Sequence, residues 1–440
     1  MASHGISRSE YAAQSRDGHR REKELKKIEE YNQLAGAVQE RRLAREYNLE
    51  ALEGTTRLLK INPEYYTIWN YRREILQQTL LSKHPSPGIP LPPASTSART
   101  CPEVNETGQG PEEVARSLRA AYTSKATLHL KEELAFLLPL LSSFPKCYWI
   151  WNHRLWTLQR ATEILPADKA DIFWQEELGL VGLMLRRDVR NFHGWMYRRF
   201  VISNIESPRQ KNVPGDEVEN PSSMDTSLVE QEFAYTTKMV QGVGGMSNYS
   251  AWHNRSKLIP RLLSERKCGK QERMDFLEDG LFRPLFSPGK CLQKDIELEL
   301  LKRNISTNPH DQSLWFYHRW LIYSNTITLD RNTLDAISPF MTRGTKLLML
   351  AAEIGTLEDL LETHSGCKYI LKALVEYVGL LQRVRKDPKG PEDDEEDEEG
   401  LTEDDEKKGS EDRRTWLAKL ISIDPMRKGR YQEILRSLEN

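Results

Sequence analysis

Apolar residues recur at helical spacing from residue 20 onward. Between Arg21 and Lys27 the charged positions leave Leu25, Ile28, Tyr31 and Leu34 on one stripe, the period of an amphipathic helix. The pattern continues from Asn48 to Lys60 with Leu49, Leu52, Leu58 and Leu59. It then stops at Asn62-Pro63, because the residue before a proline disfavours the helical region. A second apolar helix resumes around Trp69. The unit read here is helix A, a short turn of Asn-Pro type, and helix B. It recurs with helix A over 130–141, 172–187, 229–240 and 292–305. The matching breaks fall at Pro145, Asn191, Gly242-Gly244-Gly245 and Asn308-Pro309. No alternating strand pattern competes, so the expected class is all-α. The stretches 357–381 and 413–438 read as closing helix pairs, the latter broken at Asp424-Pro425.

Each helix B carries the same signature, a Trp followed three or four residues later by an Arg. The pairs are Trp69 and Arg72, Trp151 and Arg154, Trp195 and Arg198, Trp252 and Arg255, Trp315 and Arg319. Residues so spaced share a helix face. The indole brings a large ring with one donor to satisfy. The guanidinium can stack on an aromatic ring and fork its donors to carbonyls of the next unit. Five equivalent copies point to repeat architecture, in which each hairpin buries its face on its neighbour. These ten residues are therefore expected to be structural. The Trp positions are 82, 44, 57 and 63 residues apart, mostly far from the period of about 34 of a tetratricopeptide array. Insertions account for the excess: 84–111 and 207–227, rich in Pro and Ser, and 387–412, with the acidic run Glu392 to Glu399. Such compositions cannot build a core, so these segments are expected to be disordered. So is the polar N-terminus, 1–20. The remainder, 21–440, reads as one solenoid.

Composition narrows the function classes. The 440 residues are 29% charged with a net charge of −2, and no basic stripe interleaved with aromatics suggests a nucleic-acid binder. A helical-repeat scaffold of tetratricopeptide type would need regular spacing, which is missing. Five cysteines without CxxC spacing suggest a reducing compartment, and no run is long enough to span a bilayer, so a cytoplasmic protein is expected.

The five Trp units, with their aromatic and Asn-rich flanks, resemble the repeat of the protein prenyltransferase alpha-subunit family. Among its branches the chain is most similar to the Rab geranylgeranyltransferase (type II) branch, through Tyr31-Asn32-Gln33-Leu34, Trp69 to Glu74, Asp311 to Trp320 and Asp424 to Arg427. The weak N-terminal match at His4-Gly5 points the same way. The branch shared by farnesyltransferase and type I geranylgeranyltransferase is the alternative. No leucine-rich repeat and no all-β insert follow the fifth repeat, so the short fungal form is the nearer likeness. The resemblance implies a right-handed α-α superhelix around a separate beta subunit. It implies transfer of geranylgeranyl groups from geranylgeranyl diphosphate to Rab GTPases presented by a Rab escort protein. Zinc is expected in the beta subunit and none in this chain, whose histidines are scattered and, in helices B, expected to be packed. The family contacts the diphosphate through a Lys at a Pro-Lys-x-Tyr position, here Lys146. Arg190 holds the equivalent place in the next repeat. His193 and Tyr249 are expected on the same diphosphate side, and His4 would reach the zinc only if the N-terminal tail folded in.

Overall fold

The computed structural model describes residues 18–79, 81, 111–207, 227–265, 297–326, 343–386 and 403–439. Every regular element among them is helical. The fifteen α-helices are α1 Gly18–Leu43, α2 Leu49–Ile61, α3 Tyr66–Thr79, α4 Pro111–Ser143, α5 Tyr148–Ile164, α6 Ala167–Arg187, α7 Phe192–Ile205, α8 Leu228–Gln241, α9 Tyr249–Glu265, α10 Glu297–Thr307, α11 Gln312–Thr326, α12 Arg343–Thr363, α13 Lys368–Lys386, α14 Glu403–Ile423 and α15 Lys428–Ser437. Contacts divide the chain into two compact units, Met1–Glu217 and Val218–Asn440.

In the first unit α1 leads into three hairpins, α2/α3, α4/α5 and α6/α7. In the second unit the hairpins are α8/α9, α10/α11, α12/α13 and α14/α15. The expected pairing of helix A and helix B is thus present in all five Trp repeats. Asn48 caps α2 by accepting from Ala51 N, and Ser227 caps α8 by accepting from Glu230 N. The turn before α9 follows from its glycines. Gly244 has φ +70, and a Cβ on Gly245 would lie 2.2 Å from the carbonyl oxygen of Met239.

Two segments differ from the sequence reading. Residues 357–381 are a helix pair, as expected, but the pair is longer than read. They hold the end of α12, a turn at His364 to Cys367 and most of α13, so the sixth hairpin starts earlier, at Arg343. Leu371 stands where the other repeats have Trp, and for that reason the Trp signature missed it. The insertion expected at 387–412 is shorter on its C-terminal side, since 403–412 form the first half of α14. There the charged stretch carries Arg413, Trp416, Leu417 and Leu420 behind it, and Leu417 and Leu420 pack with Leu371, Val375 and Tyr431. Similarly, Pro111 opens α4 rather than closing an insertion, consistent with proline at a first helical position. The remaining insertion residues, 84–110, 208–226 and 387–402, lie outside the described residues, as do residues 1–17 with His4.

Candidate functional site

The five Trp rings are buried, and each donates its indole N–H to the carbonyl six residues earlier. The acceptors are Pro63, Pro145, Val189, Met246 and Pro309, at 2.7–2.9 Å. One carbonyl then serves two repeats. Pro63 O also accepts from the Cys147 thiol, Pro145 O from Asn191 Nδ2 at 2.9 Å, and Pro309 O from the Cys367 thiol. The turn of one hairpin is thereby tied to the N-terminus of the next helix B.

The arginines complete the joints, with a partner different from the one expected. Arg72 forks Nε and Nη2 onto both oxygens of Glu133 at 2.7 Å, across to the next hairpin. Its Nη1 returns to Thr55, Thr56 and the carbonyl of Leu52 in its own hairpin. Arg154 repeats the pattern on Glu177, at 2.8 and 2.5 Å, and on Leu134 O. Arg198 donates to Leu178 O, and Arg255 to Phe233 O, Thr236 and Thr237. The fork thus falls on a buried carboxylate, and the carbonyl contact stays within the unit. Sequence could have shown this: Glu133 and Glu177 each lie 18 positions before a repeat Trp, and Glu353 lies 18 before Leu371.

Arg319 does not belong to this set. In the fifth repeat the position three after Trp is His318, which is fully buried and bonds Glu353 Oε1 at 2.7 Å and the Tyr377 hydroxyl at 2.7 Å. Arg319 is turned one position around the helix and is half-exposed, pairing with Glu376 at 2.6 Å. Trp315 keeps its expected structural place.

His153 and His318 are packed, as expected for helix B histidines, whereas His193 is only partly buried and His253 is exposed beside Tyr249, against that expectation. His153 Nε2 donates to Glu133 Oε1 at 2.7 Å, and Nδ1 faces the Nε–H of Arg73 at 3.3 Å, which sets the neutral tautomer. Burial pushes its pKa down to about 4. Burial alone would raise Glu133, but Arg72 and His153 hold it at about 2. The Cys147 thiol, pushed up to about 11 chiefly by burial, is not a nucleophile at neutral pH.

The surface chemistry sits at the start of each helix B. The residue three before the Trp is aromatic and exposed in four successive repeats: Tyr66 55%, Tyr148 46%, Phe192 61% and Tyr249 51%. In the first unit rings form a continuous path, Tyr66 to Trp149 at 5.4 Å, Trp149 to Tyr148 at 5.3 Å, Tyr148 to His193 at 6.4 Å and His193 to Phe192 at 5.1 Å. In the second unit Tyr249 meets Phe316 at 5.8 Å and His253 at 6.0 Å.

Lys146 lies in the turn just before α5, with its side chain 76% exposed. Asn191 links that turn to α7, where its Oδ1 caps the amides of His193 and Gly194. Arg190 is exposed in the neighbouring turn, and its amide donates to Asp188 Oδ1. Asp188 Oδ2 comes within 3.9 Å of Lys146 Nζ. The structure thus brings the Lys146 ammonium and the Arg190 backbone to Asp188, a residue the sequence reading did not single out, and sets Tyr148 beside His193. Tyr249 belongs to the other unit. At 3.9 Å with both groups solvated, the Lys146–Asp188 pair is weak, and the ammonium remains able to meet an anion brought by a partner. Among the described residues no group of three His, Cys, Asp or Glu could hold a metal ion, and no helix is long and apolar enough to cross a membrane.

Buried Trp–Arg–Glu joints, with an exposed aromatic at one position of successive helices B, define an all-α helical-repeat protein. The model of the protein prenyltransferase alpha subunit repeat matches residues 49–79, 130–161, 174–205 and 295–325. The hairpin around Trp252, whose glycine turn is longer, is not among those segments. The chain belongs to the protein prenyltransferase alpha-subunit family. It is 32% identical to the Candida albicans geranylgeranyl transferase type-2 subunit alpha, over 98% of this chain and 97% of that one. The Saccharomyces cerevisiae protein of the same name is 29% identical over 98% of each chain. The human one is 33% identical over 72% of this chain but only 41% of its own length. The solved Candida albicans protein geranylgeranyltransferase-I complexed with GGPP shares the fold, with a TM-score of 0.53 at 16% identity, over 93% of this chain and 91% of that one.

Proposed function

We propose that this chain is the alpha subunit of a type-2 geranylgeranyl transferase, active in complex with a beta subunit. In that complex geranylgeranyl groups pass from geranylgeranyl diphosphate to C-terminal cysteines of Rab GTPases, presented by a Rab escort protein. The observation that carries the reading is the end-to-end likeness to the Candida albicans type-2 alpha subunit. The exposed aromatic row supports it. Single exposed rings are ordinary on any surface, but four at one repeat position suit a large partner interface.

The chain's own chemistry in this reading is electrostatic. Carbon–oxygen cleavage builds negative charge on the departing diphosphate, and a placed cation is worth most in that transition state. Lys146 is our candidate, with Arg190 in the neighbouring turn and His193 beside Tyr148; Tyr249, in the second unit, is a separate candidate. Zinc, which would lower the pKa of the acceptor thiol, is assigned to the beta subunit. The described residues here do not suit it, since Cys147 and Cys367 are buried and donate to carbonyls.

Coexpression with the beta subunit tests the reading. A stable heterodimer that prenylates an escort-bound Rab is expected, with little activity from either chain alone. A complex that instead modifies a free CaaX peptide as efficiently would move the chain to the farnesyltransferase and type I branch.

A further inference from the structure

We propose that the half-open cleft lined by α13, α14 and α15 binds a compact ligand carrying clustered phosphates. The cavity measures about 470 Å³ and lies within the second unit, in hairpins that the Trp repeats do not include. Its walls bring together Lys372 and Arg383 from α13, Arg413 from α14 and Arg430 from α15. Among the described residues none of these four forms an ion pair with a carboxylate. Glu376 is the one acidic residue on the wall, and Arg319 at 2.6 Å and the Tyr323 hydroxyl at 2.7 Å already hold it. Val375 and Leu420 make an apolar floor.

The cations are set in place rather than scattered. Arg413 donates Nε to Val375 O at 3.1 Å and Nη1 to Gln382 Oε1 at 2.9 Å, which lays its guanidinium across α13. That crossing requires Gly379, because a Cβ there would stand 2.6 Å from Arg413 Nη2. Arg383 is steadied by Gly379 O at 3.3 Å. Uncompensated positive charge shows in the neighbours' effect on one another. Lys372 is held below its ordinary range by burial and by Arg427 and Arg430, against the opposing pull of Asp424 and Glu376. Arg413 is lowered by burial and by Arg383. An anion bridging the three helices would relieve that repulsion.

The ligand class follows from shape and donors. The Arg430 guanidinium, the remaining donors of Arg383 and Arg413 and the Lys372 ammonium suit phosphate oxygens, which accept several donors at once. Cations on three helices around one cavity suit a compact polyanion, whereas an acidic peptide would need a groove along which to spread its carboxylates.

The test uses the full-length chain in complex with its partner subunit and inositol hexakisphosphate as probe, followed by calorimetry. Saturable binding that weakens as salt is raised is expected. The double variant Lys372→Ala with Arg430→Ala should weaken it at least about 10-fold, as for loss of two charge-assisted contacts, with an unchanged thermal midpoint. Gly379→Leu, which displaces Arg413, should weaken it independently. Vesicles containing phosphatidylinositol bisphosphate distinguish the source. Capture that the double variant loses points to a lipid headgroup, and binding of the free probe alone points to a soluble phosphate ester. The proposal is overturned if neither probe binds, if the variants bind as the wild type does, or if a polyglutamate peptide binds as tightly as the phosphates.

Discussion

At the residue scale, the conserved-looking Trp–Arg pair resolves into two kinds of arginine. Arg154 is buried with Glu177, and removing one partner of such a pair strands the other charge away from water. Arg154→Ala should therefore cost about 3–5 kcal/mol of stability, read by denaturant unfolding. Arg154→Met combined with Glu177→Leu and Tyr197→Phe should recover most of it, since apolar groups of similar volume replace both charges and the buried hydroxyl that bonds Glu177. Arg319→Ala should cost less than about 1 kcal/mol, because that pair is half in water. Equal losses at Arg154 and Arg319 would put both in one structural class and contradict the geometry. Lys146 makes the opposite demand. Lys146→Ala should leave the unfolding midpoint unchanged while single-turnover transfer falls about 10- to 100-fold, the lower range for loss of one charge-stabilising donor. Lys146→Arg should keep part of the rate. Wild-type turnover in the Ala variant would reduce this chain to scaffolding and recruitment.

At the scale of the element, the joints between hairpins carry a pH dependence. His153 has its pKa pushed down to about 4 by burial from an ordinary 6.5, so the folded state holds fewer protons than the unfolded chain between those values. Stability is then lost as pH falls from about 6.5 to 4. Glu133 and Glu353 are held at about 2 against an ordinary 4.5, which adds a second loss as pH falls from 4.5 toward 2. His153→Gln can still donate to Glu133 but does not titrate. Its thermal midpoint should be flatter than that of the wild type between pH 6.5 and 4, with the steeper loss below 4.5 retained. Superimposable profiles would refute the assignment. The hairpins themselves were legible because helical period and proline breaks are local signals, and so were the five Trp positions. The joints left only a weaker trace, a Glu 18 positions before the Trp, as at Glu133 and Glu177. Glu133 looks like any charged residue on a helix until the fold buries it against Arg72. His318 is legible as a packed histidine but not as the residue that replaces the repeat arginine, because Arg319 next to it also fits the spacing, and only the turn of α11 shows which side chain faces inward. The sixth hairpin was legible as a helix pair, but its likeness to the Trp repeats was not, because Leu371, an ordinary core residue, stands at the Trp position. For the candidate site, Lys146 and Arg190 could be named from the resemblance, while Asp188 between them emerged only with the folded turns.

At the scale of the whole molecule, a repeat chain of this kind buries Trp and Arg between its own hairpins and leaves one aromatic per repeat for something else. Tyr66, Tyr148, Phe192 and Tyr249 hold the same place in four repeats and remain about half-exposed, although each neighbouring Trp is buried. Their exposure is not forced by sequence, since the helix could carry a lysine there, as α13 does at Lys368. Binding energy in protein interfaces concentrates in a few aromatic and arginine side chains that become fully desolvated. Tyr148 is the strongest candidate, because it lies between Trp149 and His193 and next to Lys146. Tyr148→Ala should weaken association with the beta subunit about 10- to 100-fold, the range of a single hot-spot truncation. Phe192→Ala and Tyr249→Ala should act in the same direction with smaller effects. Helical content and thermal midpoint of the isolated chain should change little, because none of these rings fills its core. The measurement is the dissociation constant of the heterodimer, with circular dichroism of each variant alongside. Tight binding retained in the triple variant would show that the row serves another surface, and the partner would then have to be sought on the opposite ends of the hairpins.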